Sequence, residues 1–113
     1  MRLTIQDVPV SGNKLLRMHW AVRSKYNQYW QTLVRSQINN GHRAPKTKMK
    51  VQISQMRKRK LDKDNLYSSV KPLVDALKYW KLIRDDSPDW IELDVVQTTG
   101  PEKITVINIE AQA

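Results

Sequence analysis

The chain predicts an α+β fold: a small mixed β-sheet with two main helices packed on one face, in the order β-α-β-α-β-β. Three observations predict it. Apolar residues recur at helical spacing in two stretches, they alternate with polar residues in others, and Gly, Pro and Asn punctuate the intervals. With 113 residues, of which 40% are hydrophobic and four are Trp, the chain is long and apolar enough for one folded domain spanning 1–113, and too short for a second core.

In residues 2–8, Leu3 and Ile5 share one face of a first strand. Residues 9–23 carry Pro9, Gly12 and Asn13, followed by Arg17, His19, Trp20 and Arg23, and read as a loop rich in donors. Ser24 is a suitable cap for a helix whose apolar stripe is Tyr26, Trp30, Leu33, Val34 and Ile38, ended by Asn39, Asn40 and Gly41. Met49, Val51 and Ile53 alternate in a half-buried strand after the basic loop 42–47. Leu66, Val70, Leu73, Val74, Leu77 and Trp80 form the clearest helical stripe in the chain. Pro72 interrupts that stripe, either bending the helix or restarting it as its first residue. Residues 82–89 are a loop, Ile91, Leu93 and Val95 alternate in a strand, and Gly100 and Pro101 mark a turn. Residues 103–110 are apolar on both faces, as an interior strand would be, and with the preceding strand they suggest a closing hairpin.

Charge is the compositional outlier. Twenty Lys and Arg against eleven Asp and Glu leave a net +9 and a pI near 10.0. Such an excess implies a polyanionic partner, nucleic acid above all. From Arg43 to Asp64 there are nine cations and only two acids, Asp62 and Asp64, whereas Asp85, Asp86, Asp89, Glu92 and Asp94 make a compact acidic stretch. Cysteine is absent, which excludes disulfides and thiolate metal sites. There is no apolar run of membrane-spanning length, and the N-terminal residues lack a signal-peptide core, so no membrane partner and a cytoplasmic location are expected. His19 and His42 lack zinc-ligand spacing, and neither a Gly-rich phosphate loop nor a Ser-His-Asp arrangement is present, so no small-molecule cofactor is expected.

The candidate chemistry lies where the two charge signs meet. Asp62 and Asp64, two apart at a strand-to-helix junction, project to one side if extended and can share a hard cation such as Mg²⁺. Asp86 adds a third carboxylate if the strand after it pairs beside the strand before Asp62. The competing reading has Asp64 as the helix N-cap and Asp62 as a partner of the helix dipole. Lys71 and Asp75, four apart, are either a solvated ion pair or a catalytic lysine with a supporting acid. Arg57, Lys58, Arg59 and Lys60 suit a phosphate backbone, and Trp20 among its cations suits an exposed base or a core.

Residues 57–86, with RKRK, LDKDNL, KPLVDAL and RDDSPDW, resemble the signature of the RusA-type endodeoxyribonucleases, small Holliday junction resolvases of bacteria and their phages. A weaker echo is PVSGN near the N-terminus. The resemblance implies a homodimer that nicks opposed strands of a four-way DNA junction by phosphodiester hydrolysis with Mg²⁺, Mn²⁺ being a possible substitute. By position it implies Asp62, Asp64 and Asp86 as metal ligands and Lys71 as the catalytic lysine, with Asn65, Asp75 and Asp85 in support. DNA contacts fall to Arg57, Lys58, Arg59, Lys60, Lys63, Arg17, Arg23 and Asn13. The interval from Asn65 to Lys71 is longer than in one branch of the family. Tyr67, Ser68 and Ser69 fill it, so an ungapped alignment places Ser68 where the lysine belongs. Leu61 stands where a basic residue can stand. Two other readings compete: a non-catalytic basic DNA-binding protein, and a metal nuclease acting on other branched DNA or RNA.

Overall fold

Alternation along the strands separates the molecule into two layers. In the computed structural model, which describes residues 1–39, 41 and 43–112, the strands are β1 (Arg2–Ile5), β2 (Met49–Arg57), β3 (Ile91–Thr99) and β4 (Ile104–Ala111). Leu3, Ile5, Val51, Ile53, Ile91, Val95, Ile107 and Ile109 are buried and join one apolar cluster with Trp30, Val34, Leu66, Val70, Leu73, Val74 and Leu77 from the helices. The helices therefore cover one face of the sheet. On the other face, residues such as Gln52, Ser54 and Val106 are half-buried and Val96 is exposed.

The expected order is met only coarsely. The fold is α+β with a mixed sheet, but there are four helices among the described residues: α1 (Gly12–Leu16), α2 (Trp20–Arg35), α3 (Lys63–Ser69) and α4 (Lys71–Tyr79). α1 occupies the stretch expected to be a loop, and Ser11 caps it by accepting from the Lys14 amide. α2 begins four residues ahead of its expected cap. His19 caps it through Nδ1, which accepts from the Ala21 amide at 3.3 Å, and Ser24 lies inside the helix. α2 ends at Arg35, before the expected Asn and Gly stop; Asn40 and His42 lie outside the described residues. The long stripe of residues 66–80 divides at Val70. The new helix restarts at Lys71, with Pro72 in its first turn, where the missing N–H costs no helical hydrogen bond.

The closing hairpin is not formed. The sheet order is β1-β4-β2-β3: β4 lies antiparallel between β1 and β2, and β3 pairs only with β2, in parallel. The β3-to-β4 connection must pass the end of β2, where the Gly100 amide donates to the Arg57 carbonyl at 2.9 Å. A Cβ on Gly100 would stand 2.7 Å from the Met56 sulfur, so this crossing requires glycine or a displaced methionine. The interior place expected for residues 103–110 does hold, because β4, like β2, has a neighbouring strand on each side.

α2 and α4 pack against each other over the sheet. Trp30 is completely buried, with the Tyr26 and Tyr29 rings meeting it edge-on at 6.5 and 5.9 Å. The Trp80 indole N–H donates to the Gln31 carbonyl at 2.8 Å, and the Arg35 guanidinium lies over the same ring. Segment 7–10 is stapled from several sides: the Tyr26 hydroxyl accepts from the Val10 amide, Thr105 Oγ1 donates to the Asp7 carbonyl, and the Tyr29 hydroxyl donates to Asp7 Oδ2 at 2.6 Å. That last bond holds the Tyr29 phenol protonated, with its pKa pushed up to about 12.

Candidate functional site

Lys71 is the centre of the charge arrangement. As the first residue of α4 it projects its ammonium onto Asp75 Oδ1, one turn along the helix at 2.8 Å, and onto Asp86 Oδ2, in the loop beyond the helix, at 2.7 Å. Both bonds raise the Lys71 pKa, that to Asp75 most and that to Asp86 next. Lys71 is therefore a fixed cation at neutral pH and not a proton acceptor. Asp85 turns the other way. It pairs with Lys78 at 2.8 Å and accepts from the Asp86 amide, and the Lys78 contact foremost holds its carboxyl below the usual range.

Asp62, and not Asp64 as the alternative reading had it, serves as the N-cap of α3, because its carboxylate reaches the free Asn65 amide. Its Oδ1 accepts from the Asn65 amide at 2.8 Å and its Oδ2 from the Asn65 side chain at 3.1 Å. Asn65 Oδ1 accepts in turn from the Asn13 amide at 2.9 Å, tying α1 to α3. The Leu61 backbone just before the cap is pinned to β3 by both ends of the Gln97 amide. Asp64 lies in the first turn of α3 and, like Lys63, is exposed. A helix N-terminus favours such carboxylates with or without a metal.

Among the described residues no three His, Cys, Asp or Glu side chains are gathered as a metal ion would need. The expected meeting of Asp62, Asp64 and Asp86 is not formed in this arrangement. The strand pairing on which it depended is present, since β3 does lie beside β2, but its parallel direction works against convergence. Asp62 follows β2 at the end where Arg57 faces Thr99, whereas Asp86 precedes β3 at the end where Met49 faces Ile91. Asp86 is also already engaged by Lys71. The exposed carboxylates have the hard oxygen chemistry that Mg²⁺ takes, and two of them with a phosphate would satisfy its habit of keeping few protein ligands; three around one ion is the part that does not fit.

A cavity of about 550 Å³ opens beside Lys71 and Asp86, walled by Leu15, Leu16, Val70 and Val74, with Ser68, Tyr67 and Arg23 on its lining. Ser68 and Lys71, the two alternatives for the lysine position, thus share one cavity. α1 lies close above it: a Cβ on Gly12 would come within 2.4 Å of the Ser68 Cβ. Periodicity could not reveal this cavity, since one of its walls is α1, a helix too short to show a period.

The expected DNA-contacting residues divide by burial. Lys58, Arg59, Lys60, Lys63, Arg17 and Asn13 are exposed. Arg57 is not available: it is buried, donating to Gln55 Oε1 at 2.6 Å and to the Pro9 carbonyl, and its burial lowers its pKa. Arg23 is half-buried, and its Nη2 donates to the Leu15 carbonyl at 2.6 Å. Arg57→Ala is accordingly expected to act on folding. It leaves Gln55 and the Pro9 carbonyl without a partner and should cost about 1–3 kcal/mol in a denaturant titration. Neutralising Lys58, Arg59 and Lys60 together should leave that stability unchanged and flatten the salt dependence of DNA binding.

No protein-family model matches the chain, and no curated protein matches it significantly. Among the described residues no helix is long and apolar enough to cross a membrane.

Proposed function

We propose that this protein is a Mg²⁺-dependent endodeoxyribonuclease that acts on branched DNA, with the four-way junction as its substrate and a homodimer as its working form. One observation carries the reading: Lys71 bridges Asp75 and Asp86, joining the helical K-x-x-x-D pattern to the downstream acidic pair that the RusA resemblance links to it. It supports Lys71 over Ser68 as the catalytic lysine, because the ammonium already contacts both partners the motif supplies. The exposed basic segment 58–60 leads directly into Asp62, so a phosphate backbone following it arrives at the start of α3.

In this proposal Mg²⁺ is held by one or two of the carboxylates Asp62, Asp64 and Asp86, and the DNA phosphate completes its ligand shell. The ion supplies activated water and charge neutralisation. Lys71 places positive charge where the phosphoryl oxygens gather negative charge, and Asp75 orients it. A homodimer follows from the substrate: a four-way junction is near two-fold symmetric, and paired nicks need two sites related alike.

The test is a synthetic mobile four-way junction incubated with and without Mg²⁺ beside linear duplex of the same sequence. Symmetric paired nicks are expected in the junction alone and only with the metal. A second reading, a branched-DNA binder without turnover, is favoured by the ungathered carboxylates. It predicts tight junction binding with no nicks under either condition, and that result would remove the nuclease.

A further inference from the structure

Among the described residues, the two large hydrophobic side chains with the highest fractional exposure lie at the corner between α1 and α2. Leu16, the last residue of α1, is 75% exposed, and Trp20, the first of α2, is 76% exposed. An indole offers a large flat apolar surface, and leaving it in water forgoes substantial burial unless a partner covers it. The corner is braced. Arg23 reaches back from α2 to the Leu15 carbonyl, and His19 caps α2 while its ring stands 5.5 Å from the Trp20 ring. The indole is thus presented by a fixed frame rather than by a loose loop.

The two helices that form the corner carry cations and no acids, although Asp86 lies across the adjoining cavity. Lys14, Arg17 and Lys25 are exposed around the corner, and no acidic residue stands anywhere between Asp7 and Asp62. Leu16 and Arg23 also line the cavity that contains Lys71 and Asp86, so the patch adjoins the candidate site. A flat apolar surface on helices that also carry exposed cations matches a partner with flat rings strung on a phosphate chain. Paired duplex bases hide their faces, whereas unpaired bases expose them.

We propose that Trp20 is a stacking platform for an unpaired nucleobase of DNA at a branch point, with Leu16 beside it and Lys14, Arg17 and Lys25 on the flanking phosphates. This rests on the proposed function only in taking DNA as the partner, because stacking requires no cleavage.

The experiment measures binding without metal, in chelator, for the full chain and its Trp20→Ala and Trp20→Tyr variants. The probes are an oligothymidylate single strand, a four-way junction with 2-aminopurine at the branch, and a blunt duplex. Trp20→Ala should weaken single-strand and junction binding about tenfold, abolish the 2-aminopurine signal and leave duplex affinity and Tm unchanged. Trp20→Tyr should restore most of the loss. Equal weakening on all three probes, or an unchanged single-strand affinity in Trp20→Ala, would overturn the proposal. So would dimers that dissociate in Trp20→Ala without any base-dependent binding, since the patch would then be a protein–protein contact. Wild-type protein that stacks but never nicks would retain this inference and lose the nuclease; nicking that survives with no stacking difference would do the reverse.

Discussion

Asp86→Asn should leave the protein folded and bound to a four-way junction while slowing cleavage by at least as much as Lys71→Ala, for which a loss of about 10²–10³-fold is expected. The amide keeps the shape of the carboxylate but not its charge. It removes a candidate ligand for Mg²⁺ and the anion that holds one side of the Lys71 ammonium at 2.7 Å. Under the proposed function binding should survive, because it would rest on exposed cations elsewhere, and removing a negative charge from the proposed DNA-facing surface should strengthen it if anything. Ser68→Ala, in the same cavity, should change cleavage little. The pH behaviour gives an independent check. The Lys71 pKa is raised above its ordinary 10.5, first by Asp75 and then by Asp86. Its contribution to stability is therefore fully present below pH 10.5 and is lost only as pH rises through its higher folded value. The rate–pH profile should accordingly show no lysine ionisation near neutrality. A purely structural ion pair, exposed as this one is, would be worth no more than ~1 kcal/mol. Lys71→Ala and Asp86→Asn with undiminished nicking would reduce it to that role.

How far the sequence could be read differs from element to element, and the differences have physical causes. The apolar stripe of residues 66–77 was legible because a helix against a sheet must bury one face. The break at Val70 left the stripe intact, since Pro72 sits where a first turn accepts it. Lys71 and Asp75 were legible as partners because i and i+4 share a face. α1 was not, because five residues show no period. The start of α2 was misplaced because Ser24 is a common cap and His19 an uncommon one. The strand order was not legible either: adjacency along the chain favours pairing β3 with β4, whereas the crossover through α3 and α4 brings β3 beside β2 instead. The same crossover kept Asp62 and Asp86 at opposite ends of a parallel pair. Arg57 looked like its three basic neighbours, but its place in the alternation of β2 turns it inward with Val51, Ile53 and Gln55, and the other three lie past the strand end. Burial separates residues that composition treats alike.

Trp30→Ala should be the most destabilising single change in the chain, costing about 3–5 kcal/mol. Trp30 is fully buried, in the apolar cluster that α2 shares with α4 and the sheet. Removing the indole leaves a void that neighbours cannot fill: Tyr26 and Tyr29, which meet it edge-on, are each held by their hydroxyls, to the Val10 amide and to Asp7. Set against the ~5–15 kcal/mol that typically stabilises a domain, this loss is large enough to populate unfolded chain at moderate temperature. Trp30→Phe keeps an aromatic body and should lose only part as much. A thermal melt followed by circular dichroism orders the variants as wild type, Trp30→Phe, Trp30→Ala, with Trp20→Ala beside wild type because that indole is already in water. If Trp30→Ala melted with wild type, the buried indole could not be a main support of the core that α2 shares with α4 and the sheet. The contrast between two tryptophans of one helix, ten residues apart, separates the residue that holds the surface in place from the residue proposed to touch the partner.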